Sequence, residues 1–370
     1  MAPQRDLTDV VLDGRYRIRA PLSEGAMGAV YRAERVGLGR EVAVKMMHAA
    51  LPGSLSARER FERESRLMAK LVHPHCVSVI DFGVHDDRPY LVMELVPGVS
   101  LRDLITRERR LPARRAANIA CQLLGGVAHA HAQGIVHRDI KPDNIMVSAK
   151  EALGDHVQIL DFGLARLLES SSLLTEGFTV GTPSYMAPEQ CRGSDVDLRV
   201  DLYACGIVLF EMIAGRKPFV ASDPLEVIKK QLNERPPRLA DIIGGDHGAL
   251  EQVIARALAK ERDDRFASAV EMANAITAAV PGARAASQPV IPMLGSSALL
   301  PIDEPVSSEV HAPPSSPRLD PQEASMLRRM LPASRMKWAA LFLVLLVAGG
   351  IYGIVRARQY LAEQSTAAPR

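Results

Sequence analysis

One short segment constrains this chain more than any other. From Ile135 to Val147 it reads IVHRDIKPDNIMV, a charge-dense core bounded on both sides by apolar residues. Twenty-two residues after Asp139 comes Asp161-Phe162-Gly163, led in by the strand-like apolar residues Val157, Ile159 and Leu160, and then Gly181-Thr-Pro-Ser-Tyr-Met-Ala-Pro-Glu189. Upstream, strand-like residues between Tyr16 and Tyr31 flank a turn with two glycines, Ser23-x-Gly25-x-x-Gly28. The next strand, Glu41-Val-Ala-Val-Lys45, places Lys45 on the face it shares with Ala43. A helix is expected from about Ser56 to Leu71, with Phe61, Glu64, Met68 and Leu71 on one face. A carboxylate on an apolar face is costly to bury unpaired, so Lys45 is the expected partner of Glu64, and the pair would position an ammonium over a phosphate.

Composition divides the rest of the chain. Its 370 residues allow two or three domains. With 47% apolar and 24% charged residues, disorder is excluded as a description of the whole. A net charge of +2 lacks the basic excess of a dedicated nucleic-acid binder. The four cysteines, Cys76, Cys121, Cys191 and Cys205, form no CxxC pair, which suits a reducing compartment. The start, MAPQRDLTDV, has no apolar stretch, so no cleaved signal peptide is expected.

Residues 281–334 hold ten of the 25 prolines and almost no apolar periodicity, and read as an extended juxtamembrane linker. Trp338–Val355 is then 18 uncharged residues in a row. As a helix it covers about 27 Å against a hydrocarbon core of about 30 Å, which Lys337 and Arg356 extend by snorkelling. A transmembrane helix is expected over 338–355, followed by a short tail, 356–370, too short to fold alone. Arg328, Arg329, Arg335 and Lys337 place the N-terminal side in the cytoplasm. Gly349 and Gly353 form a GxxxG that allows close approach of two helices, although glycine is common in such helices anyway.

From Tyr16 to about Ala279 the motifs, in their order and spacing, resemble the eukaryotic-like (Hanks-type) serine/threonine protein kinases of bacteria, specifically the membrane-anchored ones. The resemblance implies an α+β, bilobal protein-kinase fold over residues 16–280, after an N-terminal extension at 1–15. A small β-rich lobe (16–96) would sit over a large helical lobe (97–280). It implies ATP and Mg²⁺ as cofactors, with Mn²⁺ an alternative, protein Ser/Thr side chains as acceptors, and no nucleic-acid partner. Phosphoryl transfer asks the protein for positioning and charge neutralisation more than for covalent chemistry.

By the same resemblance Asp139 orients the acceptor hydroxyl, Lys141 steadies the γ-phosphate, and Lys45, fixed by Glu64, contacts the α- and β-phosphates. Asn144 and Asp161 hold the metal, with oxygen donors suited to a hard cation. Leu22, Ser23, Gly25, Gly28 and Val30 belong to the phosphate-covering loop, where Ser23 departs from the family's first glycine. The adenine pocket falls to Ala43 and Val30, to Met93 as gatekeeper, to Glu94 and Val96 through their backbone, and to Met146. Arg138 would answer to a phosphate on the activation segment, at Thr175 or Thr179. Asp201 supports the catalytic loop, and Glu189 pairs with Arg265. The chain is then expected to be a single-pass protein of the cytoplasmic membrane, its kinase domain in the cytoplasm, with a homodimer through that domain or the GxxxG in view. A membrane-tethered pseudokinase or phospho-signalling scaffold is the competing class.

Overall fold

The computed structural model describes residues 7–25, 28–48, 55–150, 154–162 and 183–283. The chain divides into two compact units, Met1–Met293 and Leu294–Arg370. Linker, expected span and tail (from residue 284) and Thr175 and Thr179 lie outside the described residues. Among the described residues, no helix is long and apolar enough to cross a membrane.

The N-terminal half of the first unit is a six-stranded antiparallel sheet: β1 (Val11–Leu12), β2 (Tyr16–Gly25), β3 (Gly28–Arg35), β4 (Arg40–Met47), β5 (Val79–His85) and β6 (Arg88–Glu94), in the order β1-β2-β3-β4-β6-β5. Strand alternation sorts its side chains into two cores. Val42, Val44 and Met46 of β4 join Tyr90 and Val92 of β6 and Leu12, Tyr16, Ile18 and Tyr31 on one face. Ala43, Met47, Leu91 and Met93 join Phe61 and Met68 of helix α1 (Leu55–Met68) on the other. β4 and β6 are therefore buried on both faces, which is why apolar residues fill consecutive positions in both, Val42–Val44 and Tyr90–Met93. The sheet begins before Tyr16. Val11 pairs with Arg17, and Leu12 is fully buried, so part of the expected N-terminal extension is an edge strand.

The second half is mainly helical. A small sheet of β7 (Val99–Ser100), β8 (Ile145–Lys150) and β9 (Gly154–Ile159) accompanies helices α2 (Leu101–Glu108), α3 (Ala113–Ala132), α4 (Pro188–Arg192), α5 (Arg199–Ala214), α6 (Pro224–Asn233), α7 (Leu239–Ile243), α8 (Gly248–Ala257) and α9 (Ala269–Ala279). α5 is buried all round, from Val200 to Ala214, as an apolar central helix must be, and it packs against α3 and α8. Ser100 caps α2 by accepting from the Asp103 amide, and Ser268 caps α9 by accepting from the Glu271 amide. The four cysteines are free thiols.

Candidate active site

The segment after α3 is held from beneath by α5. Asp201 Oδ2 accepts from the backbone amide of His137 and from His131 Nε2, both at 2.8 Å, while Oδ1 accepts from the amide of Arg138 at 2.8 Å. Burial opposes the charge on Asp201, but these bonds and the neighbouring His131 and His137 outweigh it and hold the carboxyl below the usual carboxylate range. Arg138 has φ +66°, a left-handed conformation that a residue with a long side chain keeps only when its surroundings hold it. They do so from both sides, since Gln190 Nε2 donates to the Arg138 carbonyl at 3.1 Å. The expected support role of Asp201 thus has a concrete geometry. His131 and Gln190 were not singled out in the sequence. The only hint is their placing, one at the end of the helix before the loop and the other directly after Glu189.

His137 packs rather than reacts. Its Nδ1 accepts from the Asp139 amide at 3.2 Å, which leaves Nε2 to donate to the Leu160 carbonyl at 2.8 Å, and its ring meets Phe162 edge-on. Asp139 is thereby fixed. Its Oδ2 accepts from Lys141 Nζ at 2.7 Å and from Asn144 Nδ2 at 3.0 Å, and the same Nδ2 also donates to the Asp139 carbonyl at 2.8 Å. With its NH2 spent on Asp139, Asn144 has its amide oxygen left to offer a ligand. Asp161, at φ +59°, stands just past β9.

Lys45 projects from β4 toward this loop and pairs with Asp161 Oδ2 at 2.5 Å. The expected Lys45–Glu64 pair is not among the contacts of the described residues, although Phe61 and Met68 lie on the core side of α1 as expected. Ser65, between them, is fully buried, and Glu64, its side chain 13% exposed, has its Oε1 3.1 Å from Arg63 Nη2. Leu71 is buried beyond the helix end, as its spacing required. A cavity beside Asp161 is lined by Met68, Leu71, Val77, Val79, Leu91, Met93 and Phe162 as well.

Of the remaining residues expected in the nucleotide pocket, several lie on the sheet face that carries Lys45. Ala43 and Met93 are buried in one cluster, and Val30, Val96 and Leu160 pack against it. Met146 lies half-buried on β8. The Glu94 amide is taken by the Ser78 carbonyl at 3.0 Å, so only the Glu94 carbonyl can face an adenine. Leu22, Ser23 and Gly25 are exposed along β2, with Ser23 opposite Val30 and Gly25 opposite Gly28. A Cβ on Gly28 would lie 2.2 Å from the Met46 carbonyl oxygen, so the strand crossing itself demands glycine there.

Two ion pairs anchor the floor. Arg265 grips Glu189 bidentately at 2.7 and 2.8 Å, both nearly inaccessible to water. Glu211 is likewise enclosed, accepting from Arg102 Nη1 at 2.7 Å and from the Tyr185 hydroxyl at 2.5 Å. Burial pushes the Tyr185 phenol far above its ordinary value, with the Glu211 charge adding to it.

Residues 16–276 match the family model of the protein kinase domain. The chain is 40% identical over 302 residues to the serine/threonine-protein kinase pkn2 of Myxococcus xanthus, covering 79% of this chain and 35% of that protein. It is 36% identical over 266 residues to the serine/threonine-protein kinase PknL of Mycobacterium bovis, covering 72% and 66%. Among solved structures, the PknI kinase domain of Mycobacterium tuberculosis superposes with a TM-score of 0.60 at 30% identity, over 74% of this chain and all of that one. The chain thus spans less than two thirds of the length of these curated relatives.

Proposed function

The chain belongs to the protein kinase domain family, and we propose that it transfers the γ-phosphoryl group of ATP to Ser or Thr hydroxyls of proteins, its own activation segment included. The observation that carries this is the loop from His137 to Asn144, which presents Asp139, Lys141 and Asn144 as one bonded group, with Lys45 and Asp161 joined across the cleft. Asp139 is held through Oδ2 and orients the acceptor hydroxyl, taking its proton. Lys141 and Lys45 neutralise phosphate charge. The Asn144 amide oxygen and the Asp161 carboxylate are hard donors that fit Mg²⁺ and would hold it, and the bound ion would supply positive charge against the phosphates. Ala43, Val30, Met93, Val96 and Met146 form the adenine surface, with the Glu94 carbonyl as acceptor, and Leu22, Ser23, Gly25 and Gly28 cover the phosphates. Arg138, Thr175 and Thr179 constitute the regulatory set.

The relatives named as serine/threonine-protein kinases support the choice of acceptor. Phosphosite mapping by mass spectrometry after incubation with Mg-ATP tests it: phosphate on Thr175 or Thr179 is expected, and an unmodified chain contradicts it. All the side chains that phosphoryl transfer needs are present, which sets the pseudokinase reading second.

We further propose that residues 338–355 span the cytoplasmic membrane once, with the kinase domain on the cytoplasmic side, after the linker at 281–334. Their uncharged length and the flanking arginines support it. Extraction of membranes with alkaline carbonate tests it, the chain remaining in the pellet. Dimerisation, through the kinase domain or through Gly349 and Gly353, is proposed with it.

A further inference from the structure

The kinase domain carries one built, strongly basic surface that phosphoryl transfer does not use. It lies where the end of α2, the start of α3 and the end of α5 meet. Arg107, Arg109, Arg110 and Arg114 come from the first two and Arg216 from the third, and all five are exposed. The surface is rigid by construction. The Leu111 amide donates to the Met212 carbonyl at 2.7 Å, and a Cβ on Gly215, at φ +71°, would stand 2.4 Å from the Arg109 carbonyl oxygen. Glycine alone lets the end of α5 abut residues 109 and 110 so closely. Arg109 itself is held at φ +64°, a conformation unfavourable for a long side chain.

The local acids do not neutralise this surface. Glu108 serves Arg107 at 3.4 Å and Arg115 at 2.6 Å, and Asp155 serves Arg115. Among the described residues, Arg109, Arg110 and Arg216 make no ion pair. Solvated charges spread around a domain need no explanation, but five arginines converging from three elements produce a field that favours an anionic plane over a point ligand.

Charge complementarity and the tether point to a leaflet as that plane. Arg114 Nε donates to the Gly282 carbonyl at 2.9 Å, so the segment leading toward residues 338–355 departs from the edge of the basic surface. We propose that this surface docks the kinase domain on the anionic phospholipid leaflet in which the chain is anchored. The proposal rests on the reading of 338–355 as a membrane span. Tethering supplies a high local concentration, so a modest electrostatic attraction suffices.

The full chain is reconstituted in phosphatidylcholine vesicles with and without phosphatidylglycerol, and amide hydrogen exchange is followed over residues 101–116 and 212–217. Protection is expected only with phosphatidylglycerol, and is expected to disappear in 0.5 M salt, where screening shortens to about 4 Å. Arg107→Glu, Arg110→Glu and Arg216→Glu together should lower vesicle partitioning of the unanchored fraction on the order of 100-fold or more, with peptide phosphorylation in detergent unchanged. Equal exchange in both lipids, or protection that withstands salt, overturns the proposal. So does protection by an oligonucleotide and not by vesicles, which would reassign the surface. Carbonate extraction of the same vesicles reports separately on the span, and phosphorylation in detergent reports separately on kinase activity.

Discussion

Lys45 Nζ lies 2.5 Å from Asp161 Oδ2, so the cation of β4 and the carboxylate after β9 close on each other across the cleft. For the proposed transfer, both must turn to the nucleotide: the ammonium to phosphate oxygens, the carboxylate to the metal. Lys45→Met should therefore lower kcat/KM for peptide phosphorylation on the order of 10²–10³-fold, the usual cost of losing one charge-stabilising group. Cooperative urea unfolding should persist, because the cores that flank Lys45 do not depend on it.

The packing of α1 leaves a different mark. Ser65 is fully buried and its Oγ has no hydrogen-bond partner. Ser65→Ala should raise stability by about 1 kcal/mol, the desolvation cost of an unmade bond. The urea midpoint of the full chain reads this directly, and a drop would show that the hydroxyl has a role in the fold.

Asp201 accepts three hydrogen bonds that set the backbone from His137 to Arg138. Asp201→Asn replaces one acceptor oxygen by a donor group and removes the charge, so stability should fall by about 1.5–3 kcal/mol, the worth of one hydrogen bond to an ionised group. Arg138 would then lose its left-handed clamp, and phosphorylation should fall further than the loss of folded protein explains. Activity normalised to the folded fraction separates the two effects.

Acid should weaken the junction between α1 and α3. His73 is buried, stacked on His129 with ring centroids 5.0 Å apart, and 5.4 Å from His75, which in turn lies 5.3 Å from His156. Burial, with His75 and His129 as neighbours that can charge, pushes His73 down from 6.5 to about 4. The folded state thus binds its proton later than the unfolded state as pH falls. Its contribution is fully present above pH 6.5, is lost progressively between 6.5 and about 4, and is constant below that. His73→Asn keeps an acceptor for the His75 amide and should flatten the dependence of the urea midpoint on pH across this window. An unchanged slope would assign the effect to other groups.

Much of the site was legible because its chemistry is local in sequence. Asp139, Lys141 and Asn144 lie within six residues, and the structure bonds them into one group. Alternation alone put Lys45 on the face of Ala43. The resemblance implies a Glu189–Arg265 pair, and the two side chains meet bidentately. The partner of Lys45 was not legible. Helix spacing places a residue on a face but does not choose which neighbouring charge its side chain meets. His131 and Gln190 were missed for a related reason. Each acts on the backbone of another segment, which no side-chain pattern in sequence reports. The enclosure of Glu211 by Arg102 and Tyr185 joins three elements far apart in the chain, and packing alone decides it.

In the proposed transfer, Asp139 is the residue that makes this fold a phosphoryl transferase. The most direct measurement compares wild type and Asp139→Asn, incubated with Mg-ATP labelled at the γ-phosphate, for incorporation into the chain and into a Ser/Thr protein substrate. Asparagine preserves the size and an acceptor oxygen for Lys141 and Asn144 but takes no proton. Incorporation should fall on the order of 10²-fold or more, with unfolding by urea little changed. Equal incorporation by the two proteins would contradict it.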